Sequence, residues 1–217
     1  MDFNFTEEQD MVRDGLSRMV REQYGAEERR QLIATDAGWS TEIWGQLAEL
    51  GILGMSFSEE DGGFGGGAID SMVVMEEFGK GLVVEPYVPT VVCAGGFLKH
   101  AGTAAQKEEH IGGIVSGERV FAFAYAEPRG RYDLANLETT AKKDGGDYVI
   151  NGQKTWTTFA HFADHIFCLC RTDPDAAKPQ EGISFILVPM DLPGVEVRPI
   201  LTLEGEHEVN EVFLTDV

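Results

Sequence analysis

The sequence predicts an α+β chain in which an N-terminal all-helical domain precedes an antiparallel β-barrel or β-sandwich domain. Apolar residues recur at intervals of three to four up to about residue 118, which is typical of amphipathic helices. From about residue 119 the pattern changes to the alternation of strands, and short strands follow one another without helical crossovers. We therefore divide the chain into a helical domain at residues 1–118 and a β domain at residues 119–217.

The helical half contains recognisable helix N-termini. Thr6 and Thr103 are each followed three residues later by glutamine, the pattern of a capping box that satisfies exposed backbone N–H groups. Another helix is expected to begin near Ser40, because a serine there precedes an apolar pattern of helical period. Apolar patterning predicts two more helices, over residues 68–78 and 90–100.

In the β half the strongest local signal is the dipeptide Asn151–Gly152. Alternating segments at residues 147–150 and 153–158 flank it. Both central positions of a two-residue hairpin turn need positive φ, which asparagine and glycine adopt more readily than other residues. The sequence therefore predicts a β-hairpin whose turn is Asn151–Gly152.

Composition narrows the classes of function. The chain has 17 Lys and Arg residues against 37 Asp and Glu residues, a formal net charge of −20. Such a surface repels nucleic acid and anionic lipid, so neither partner is expected. No apolar run reaches the roughly 18 residues of a membrane helix, the acidic N-terminus is unlike a signal peptide, and three cysteines fit a reducing compartment. We therefore expect a cytoplasmic protein.

Three local patterns could carry chemistry, and each has a simpler structural interpretation. The glycine-rich residues 62–67 precede a helix but lack the strand and the Lys-Ser/Thr pair of a phosphate loop, which favours a helix-to-helix loop. His161 and His165 would lie about 13 Å apart on a strand, too far to share an ion. Cys168 and Cys170 lack the second ligand pair that zinc requires and are interpreted as core residues. No metal site is expected.

The segment from Phe123 to Arg171 differs from the rest of the chain in its charge balance. It contains six basic and six acidic residues, so it is locally neutral within a chain of net charge −20. An anionic ligand would be repelled least there. Ordinary mixing of surface charges gives the same balance, and charge alone leaves both interpretations open.

Two motifs of this segment, in this order after a helical half, resemble those of the acyl-CoA dehydrogenase family. AEPRGRYD at residues 126–133 resembles the family's TEPxxGSD, and NGQKTWTT at residues 151–158 resembles its NGxKxWITN. GISFILVP at 182–189, DLPGV at 191–195 and FLTDV at 213–217 continue the match. The resemblance covers nearly the whole chain.

The resemblance implies a flavoprotein that binds FAD and oxidises an acyl-CoA to the 2,3-enoyl-CoA, with hydride transfer to flavin N5. It also implies an electron-transfer flavoprotein or a similar electron acceptor, and assembly into a homo- or hetero-oligomer. Family members continue into a helical C-terminal domain that usually supplies the catalytic base. We expect that domain to be absent from this chain, which stops at Val217. No catalytic residue is therefore nominated, and these 217 residues alone are expected to be inactive.

The resemblance further implies which residues contact the flavin. The matching positions are Phe123, Tyr125, Ala126, Arg131, Tyr132, Trp156, Thr157 and Thr158. The first three would offer main-chain contacts from one strand, and the last three would lie against the isoalloxazine, where backbone N–H groups and a hydroxyl stabilise negative charge on the ring. The remaining two would lie near the pyrophosphate.

Three of these positions depart from the family pattern. Ala126 stands where the family has threonine, and Arg131–Tyr132 stand where it has Gly-Ser. Arg-Tyr-Asp in place of Gly-Ser-Asp resembles a bacterial branch of the family in which two unlike subunits assemble. The alternatives are therefore a flavin-poor or non-catalytic partner subunit of a heteromeric acyl-CoA dehydrogenase, and a flavin oxidase or monooxygenase of the same fold.

Overall fold

The computed structural model describes residues 4–203, 205 and 207–217. The chain divides into two compact units. One contains the residues up to Tyr87 together with Gly95–Arg119, and the other contains Val88–Ala94 together with Val120–Val217. The expected order, helices first and strands second, is confirmed.

The first unit is built from α-helices. In its described residues these are α1 (Glu7–Gln23), α2 (Ala26–Ile33), α3 (Thr41–Glu49), α4 (Ala68–Gly81), α5 (Gly95–Ala101) and α6 (Ala104–Val115), with a 3₁₀ turn at Ile52–Gly54. Thr6 and Thr103 form the predicted capping boxes, and Ser40 caps α3. No apolar pattern predicts α2, because that helix buries no side chain and so carries no apolar stripe.

The second unit contains a seven-stranded sheet, together with a π-helix at Val88–Ala94 and a 3₁₀ turn at Pro179–Gly182. Its strands are β1 (Phe121–Ala124), β2 (Thr140–Asp144), β3 (Asp147–Thr158), β4 (His165–Arg171), β5 (Ile183–Pro189), β6 (Val195–Leu201) and β7 (His207–Leu214). They lie in the order β1-β4-β2-β3-β7-β6, with β5 paired to β4. The sheet is mixed rather than wholly antiparallel, because β1 and β2 both meet β4 in parallel. The pairings of the described residues do not close it, so the word barrel fits it only loosely.

The core of this unit is a cluster of small and aliphatic side chains from the strands and the turn after β3. Ile150, Ile166 and Val212 are among its buried members. Cys168 and Cys170 are also buried there, with their Sγ atoms 3.6 Å apart and both thiols free. Their interpretation as core residues is therefore confirmed.

The predicted hairpin at Asn151–Gly152 is wrong, because β3 runs through both residues without turning. The chain reverses instead at Gly145–Gly146, between β2 and β3. A Cβ atom on Gly152 would lie 2.4 Å from Oγ1 and 2.6 Å from Cα of Thr139, so glycine is needed for close approach. Asn151 exchanges two hydrogen bonds with Asp216. The dipeptide therefore serves strand packing.

We predict that Gly152→Ala destabilises the chain by about 1–3 kcal/mol, because the added methyl group overlaps the Thr139 backbone. Gly146→Ala is the matched control, since a Cβ atom there meets nothing within 4 Å. Its free energy of unfolding should stay within about 0.5 kcal/mol of the wild type. Urea unfolding of both variants measures the difference, and equal values would contradict the packing role of Gly152.

A buried carboxyl group in the helical unit is hydrogen-bonded to a tyrosine. Glu85 is 6% exposed, the Tyr24 hydroxyl donates a hydrogen bond to it, and the Ser40 backbone N–H donates another over 3.3 Å. Burial raises the pKa of Glu85 to about 7, because it disfavours the charged form more than the backbone hydrogen bonds favour it. This carboxyl therefore titrates near neutral pH in the folded chain.

Glu85 should make the helical unit less stable as the pH rises. Because its folded pKa lies above the ordinary 4.5, its contribution is fully present below pH 4.5 and is lost as the pH passes 7. Glu85→Gln should abolish this loss, which is up to about 3 kcal/mol of the free energy of unfolding. Between about pH 5 and pH 8, the Tm of the variant should therefore fall less than that of the wild type. Far-UV circular dichroism follows the transition. Glu49→Gln, at an exposed carboxyl on α3, should keep the wild-type fall.

Candidate functional site

The β unit contains a cavity of about 430 Å³ between the segment that follows β1 and two adjacent residues of β3. Its walls come from residues 125–128, 130–134 and 136–137 on one side and from Thr155 and Trp156 on the other. We call residues 125–139 the pocket loop. Tyr125, Tyr132 and Trp156 are 43%, 105% and 60% exposed, so three aromatic side chains border an open site.

One carboxylate fastens both ends of the pocket loop. Glu127 is buried, and its side chain accepts hydrogen bonds from the backbone N–H groups of Glu138 at 2.5 Å and Thr139 at 3.0 Å. The loop is also held to β3, where the Thr155 N–H donates to the Ala126 carbonyl over 3.0 Å. The intervening residues are thus fixed at their ends by main-chain hydrogen bonds.

The partner of this carboxylate is a fully buried lysine on β3. Lys154 Nζ lies 2.7 Å from Glu127 Oε1 and 2.5 Å from the Leu169 carbonyl oxygen on β4. Burial by itself raises the pKa of Glu127, but the backbone N–H of Glu138 and the lysine ammonium outweigh it, and the pKa is lowered. The Glu127 carboxylate therefore stays ionised, and its contact with Lys154 joins the pocket loop, β3 and β4.

Further hydrogen bonds shape the interior of the pocket loop. Asp133 accepts from the Ala135 N–H at 2.9 Å, which is an Asx turn, and the Asn136 amide donates to the Arg129 carbonyl over 3.2 Å. From β4, the Arg171 guanidinium donates to the Ala135 carbonyl over 2.6 Å. The loop conformation is consequently set by polar contacts to its main chain.

Trp156 reaches the cavity because β3 bulges at that position. The pairing with β7 passes from Lys154↔Val212 to Thr157↔Asn210, so β3 contains one more residue than its partner strand. Trp156 has φ 55°, a left-handed conformation that costs a bulky residue about 1 kcal/mol or more. Strain of this kind persists only where neighbouring contacts hold it, and here it presents an indole to the cavity.

The structure brings together five of the eight residues nominated from the sequence. The cavity is lined by Tyr125, Ala126, Arg131, Tyr132 and Trp156. The other three do not line it in the described part of the chain. Phe123 packs against the rings of Tyr125 and Phe185, Thr158 is half-buried on β3, and Thr157 is 1% exposed with its hydroxyl turned into the protein.

The two residues that replace the Gly-Ser of the family motif have unusual backbone angles. Arg131 and Tyr132 have φ of 47° and 66°, in the left-handed region that glycine adopts without strain. Both side chains are exposed at the rim of the cavity, where the guanidinium supplies positive charge. The backbone shape that a glycine would favour is thus retained with a cationic and a phenolic side chain attached.

Sequence reasoning missed Lys154 and Asn210, which are both fully buried. The position of Lys154 within a strand of alternating pattern could have indicated a buried ion pair, because a lysine in a strand interior requires a partner. Asn210 had no comparable sign, because an asparagine in a strand is compatible with an exposed position. Neither side chain lines the cavity in the part of the chain that the structure describes.

The other sequence candidates take part in turns and packing. The N–H groups of Gly63, Gly65 and Gly66 donate to carbonyl groups of Ser58, Phe57 and Met55, so the glycine-rich run is a loop packed on its own chain. His161 lies in a turn rather than on a strand. Among the described residues no group of three or more His, Cys, Asp or Glu side chains is arranged to hold a metal ion. Within the same residues no helix has the length and apolar character to cross a membrane.

Comparison with known proteins defines the family. The model of the acyl-CoA dehydrogenase N-terminal domain matches residues 6–118, and that of the acyl-CoA dehydrogenase middle domain matches residues 122–217. The chain therefore belongs to the acyl-CoA dehydrogenase family, whose members are flavoproteins of fatty acid metabolism.

Individual relatives agree with this assignment. Acyl-CoA dehydrogenase FadE29 of Mycobacterium tuberculosis is 41% identical over 172 residues, which are 79% of this chain and 44% of that protein. The structure titled "Tcur3481-Tcur3483 steroid ACAD" is 35% identical with a TM-score of 0.87, over 100% of this chain and 56% of the other. The ChsE4-ChsE5 complex from Mycobacterium tuberculosis is 31% identical with a TM-score of 0.88, over 100% and 56%. The chain spans about half the length of these proteins.

Removal of the buried lysine should destabilise the β unit strongly. Lys154→Met leaves the Glu127 carboxylate buried without its counter-charge and should lower the free energy of unfolding by about 3–5 kcal/mol. Adding Glu127→Leu should restore part of this loss, because the unpaired charge is then absent. Lys178→Met removes the exposed pair with Glu181 and should change stability by less than about 0.5 kcal/mol. Urea unfolding compares the variants, and equal effects of the two lysine substitutions would contradict the role of Lys154.

Proposed function

We propose that the protein is an FAD-dependent acyl-CoA dehydrogenase that oxidises an acyl-CoA to the 2,3-enoyl-CoA. Membership of the family supports this function in general. The observation that carries the proposal is the strained bulge on β3, which holds the Trp156 indole beside the cavity formed with the pocket loop. The proposed cofactor-binding residues remain Phe123, Tyr125, Ala126, Arg131, Tyr132, Trp156, Thr157 and Thr158.

The residues around the cavity fit a flavin nucleotide by their chemistry. An exposed indole offers a flat apolar surface to an aromatic ring system, and Arg131 offers positive charge to a pyrophosphate. Thr158 carries the hydroxyl that matches the family motif. When bound, FAD would accept the hydride from the acyl β carbon. The protein groups would orient the ring, exclude water from one face and stabilise negative charge.

The proton acceptor is proposed to lie outside these 217 residues. Two carboxylates line the cavity, and both are committed to the loop: Glu127 to Lys154 and two backbone N–H groups, Asp133 to the Ala135 N–H. A base must reach the α carbon of the substrate with a free lone pair. Glu127 is buried and does not meet that requirement, and Asp133 has one oxygen engaged within its own loop, so we propose that the chain contributes the flavin side of the site.

An oligomer and an electron-transfer flavoprotein or similar acceptor complete the proposal. Two similar structures support assembly from unlike subunits, because one is titled a complex of ChsE4 and ChsE5 and the other pairs two names in a steroid ACAD. The second of these titles also suggests a steroid-bearing CoA thioester as a substrate to test. Family membership supports acyl-CoA as the general substrate class.

Arg131 and Tyr132 favour a second candidate function. Their side chains stand at the cavity rim on left-handed backbone, and Ala126 lacks the family hydroxyl. A subunit that shapes a heteromeric acyl-CoA dehydrogenase without holding flavin itself would tolerate these changes. A flavin oxidase or monooxygenase of the same fold is the remaining alternative.

Reconstitution of the full-length protein with FAD tests the proposed function. Addition of acyl-CoA thioesters of several chain lengths, including a steroid-bearing one, should bleach the visible absorbance of the flavin. Bleaching by none of them would refute the dehydrogenase. Trp156→Ala should weaken FAD binding by about tenfold, because a stacking surface worth roughly 1 kcal/mol or more is removed.

The same preparation separates the alternatives. A protein that is colourless alone and turns yellow only with the product of a neighbouring gene would support the partner subunit. Rapid oxygen consumption by the reduced protein would instead support an oxidase or monooxygenase. A yellow protein whose reduced form reacts slowly with oxygen would support the dehydrogenase.

A further inference from the structure

A polar cluster lies behind the β3 bulge, formed by β7 and the turn that follows β3. Its members are Asn210, His207 and His161. Asn210 is 0% exposed and is the register partner of Thr157, the first residue after the bulge. The ring of His161 stacks on that of His207 with centroids 4.1 Å apart. None of these residues lines the cavity in the described part of the chain.

The Asn210 side chain makes three hydrogen bonds in this cluster, using both N–H groups and one lone pair of its oxygen. Its Nδ2 donates to the Thr157 carbonyl over 3.0 Å and lies 3.2 Å from His161 Nδ1, while its Oδ1 lies 2.7 Å from His207 Nε2. A carbonyl group can only accept, so the Thr157 carbonyl dictates that the NH₂ end of the amide faces it. The Oδ1 atom must then accept from His207, and His161 Nδ1 must accept from the amide.

The protonation state of His161 agrees with that arrangement. Burial and the neighbouring His207 lower the pKa of His161 to about 4, so its ring is neutral near pH 7. A neutral imidazole has one acceptor nitrogen, which the amide requires at Nδ1. The two histidine rings thus fix the orientation of the Asn210 amide, and its N–H group donates to the Thr157 carbonyl beside the bulge.

We propose that Asn210 is a positioning residue for the flavin site, holding the Thr157 carbonyl so that Trp156 keeps its left-handed conformation at the cavity. This inference rests on the proposed function. At the bulge the regular ladder of β3 and β7 is interrupted, and a side-chain amide binds a main-chain carbonyl there. The strained backbone of Trp156 needs such an external hold, because isolated left-handed conformations of bulky residues relax.

The test uses full-length protein and the variant Asn210→Asp, which keeps the size and the acceptor for His207 but removes the N–H donor. Hydrogen exchange of the backbone amides in residues 155–159 should become about tenfold faster. Local opening would then no longer have to break the hydrogen bond from the Asn210 side chain to the Thr157 carbonyl. Asn151→Ala is the matched control, since Asn151 also joins β3 to the C-terminal segment through amide hydrogen bonds, but away from the bulge. Exchange at residues 155–159 should be unchanged in that variant.

A second measurement reports on the flavin itself. At saturating FAD, an indole beside the isoalloxazine quenches its fluorescence, and Trp156→Phe defines the unquenched level. Asn210→Asp should recover part of that fluorescence, whereas Asn151→Ala should not. A purely structural role would lower stability in general and leave the quenching of the bound flavin intact.

His207→Phe keeps the ring stack on His161 and removes only the bond to Asn210, so it serves where Asn210→Asp fails to fold. It should change exchange and quenching in the same direction by a smaller factor. Wild-type exchange at residues 155–159 in a folded variant, or acceleration spread evenly over all β strands, would overturn the inference. If the wild-type protein binds no FAD, the proposed function fails, while the exchange experiment still decides whether Asn210 holds the bulge.

Discussion

The pocket of the β unit depends on the buried ion pair between Lys154 and Glu127. Two charges removed from water are tolerated only when their remaining hydrogen-bonding positions are also filled. Here the ammonium also donates to the Leu169 carbonyl, and the carboxylate also accepts from two backbone N–H groups, so each charge has hydrogen bonds beyond the ion pair. One interaction therefore joins two strands of the sheet to the pocket loop. The shape of the cavity follows from it.

The opposite wall of the cavity depends on a different kind of constraint. Trp156 occupies a strained conformation in a bulge, and the strain is balanced by ordinary strand pairing on both sides together with the Asn210 amide. Lys154 lies two residues before Trp156 on the same strand, and β3 thereby carries both the anchor of one wall and the contact surface of the other. Displacement of β3 would alter both walls together.

Sequence reasoning predicted the parts of the fold that depend on local periodicity. Capping boxes, helix patterns and alternating strands located most elements, because each is decided within a few residues. It failed at Asn151–Gly152, where a strong local turn preference was overridden by a tertiary contact with Thr139. The parallel pairing of β1 with β4 joins segments some forty residues apart in the chain, and no local pattern encodes it.

The site was predictable in composition but not in geometry. Motif matching nominated five of the residues that line the cavity. The burial of Thr157 and the role of Asn210 follow from a one-residue bulge that alternation cannot locate. The geometry of the pocket loop explains how the side chains of Arg131 and Tyr132 are accommodated. The pocket loop is held by Glu127, Asp133 and Arg171 through main-chain groups, so side chains at its rim can change without loss of those contacts. Substitution at the rim therefore alters the charge and bulk offered to a ligand, while the loop that presents them is kept.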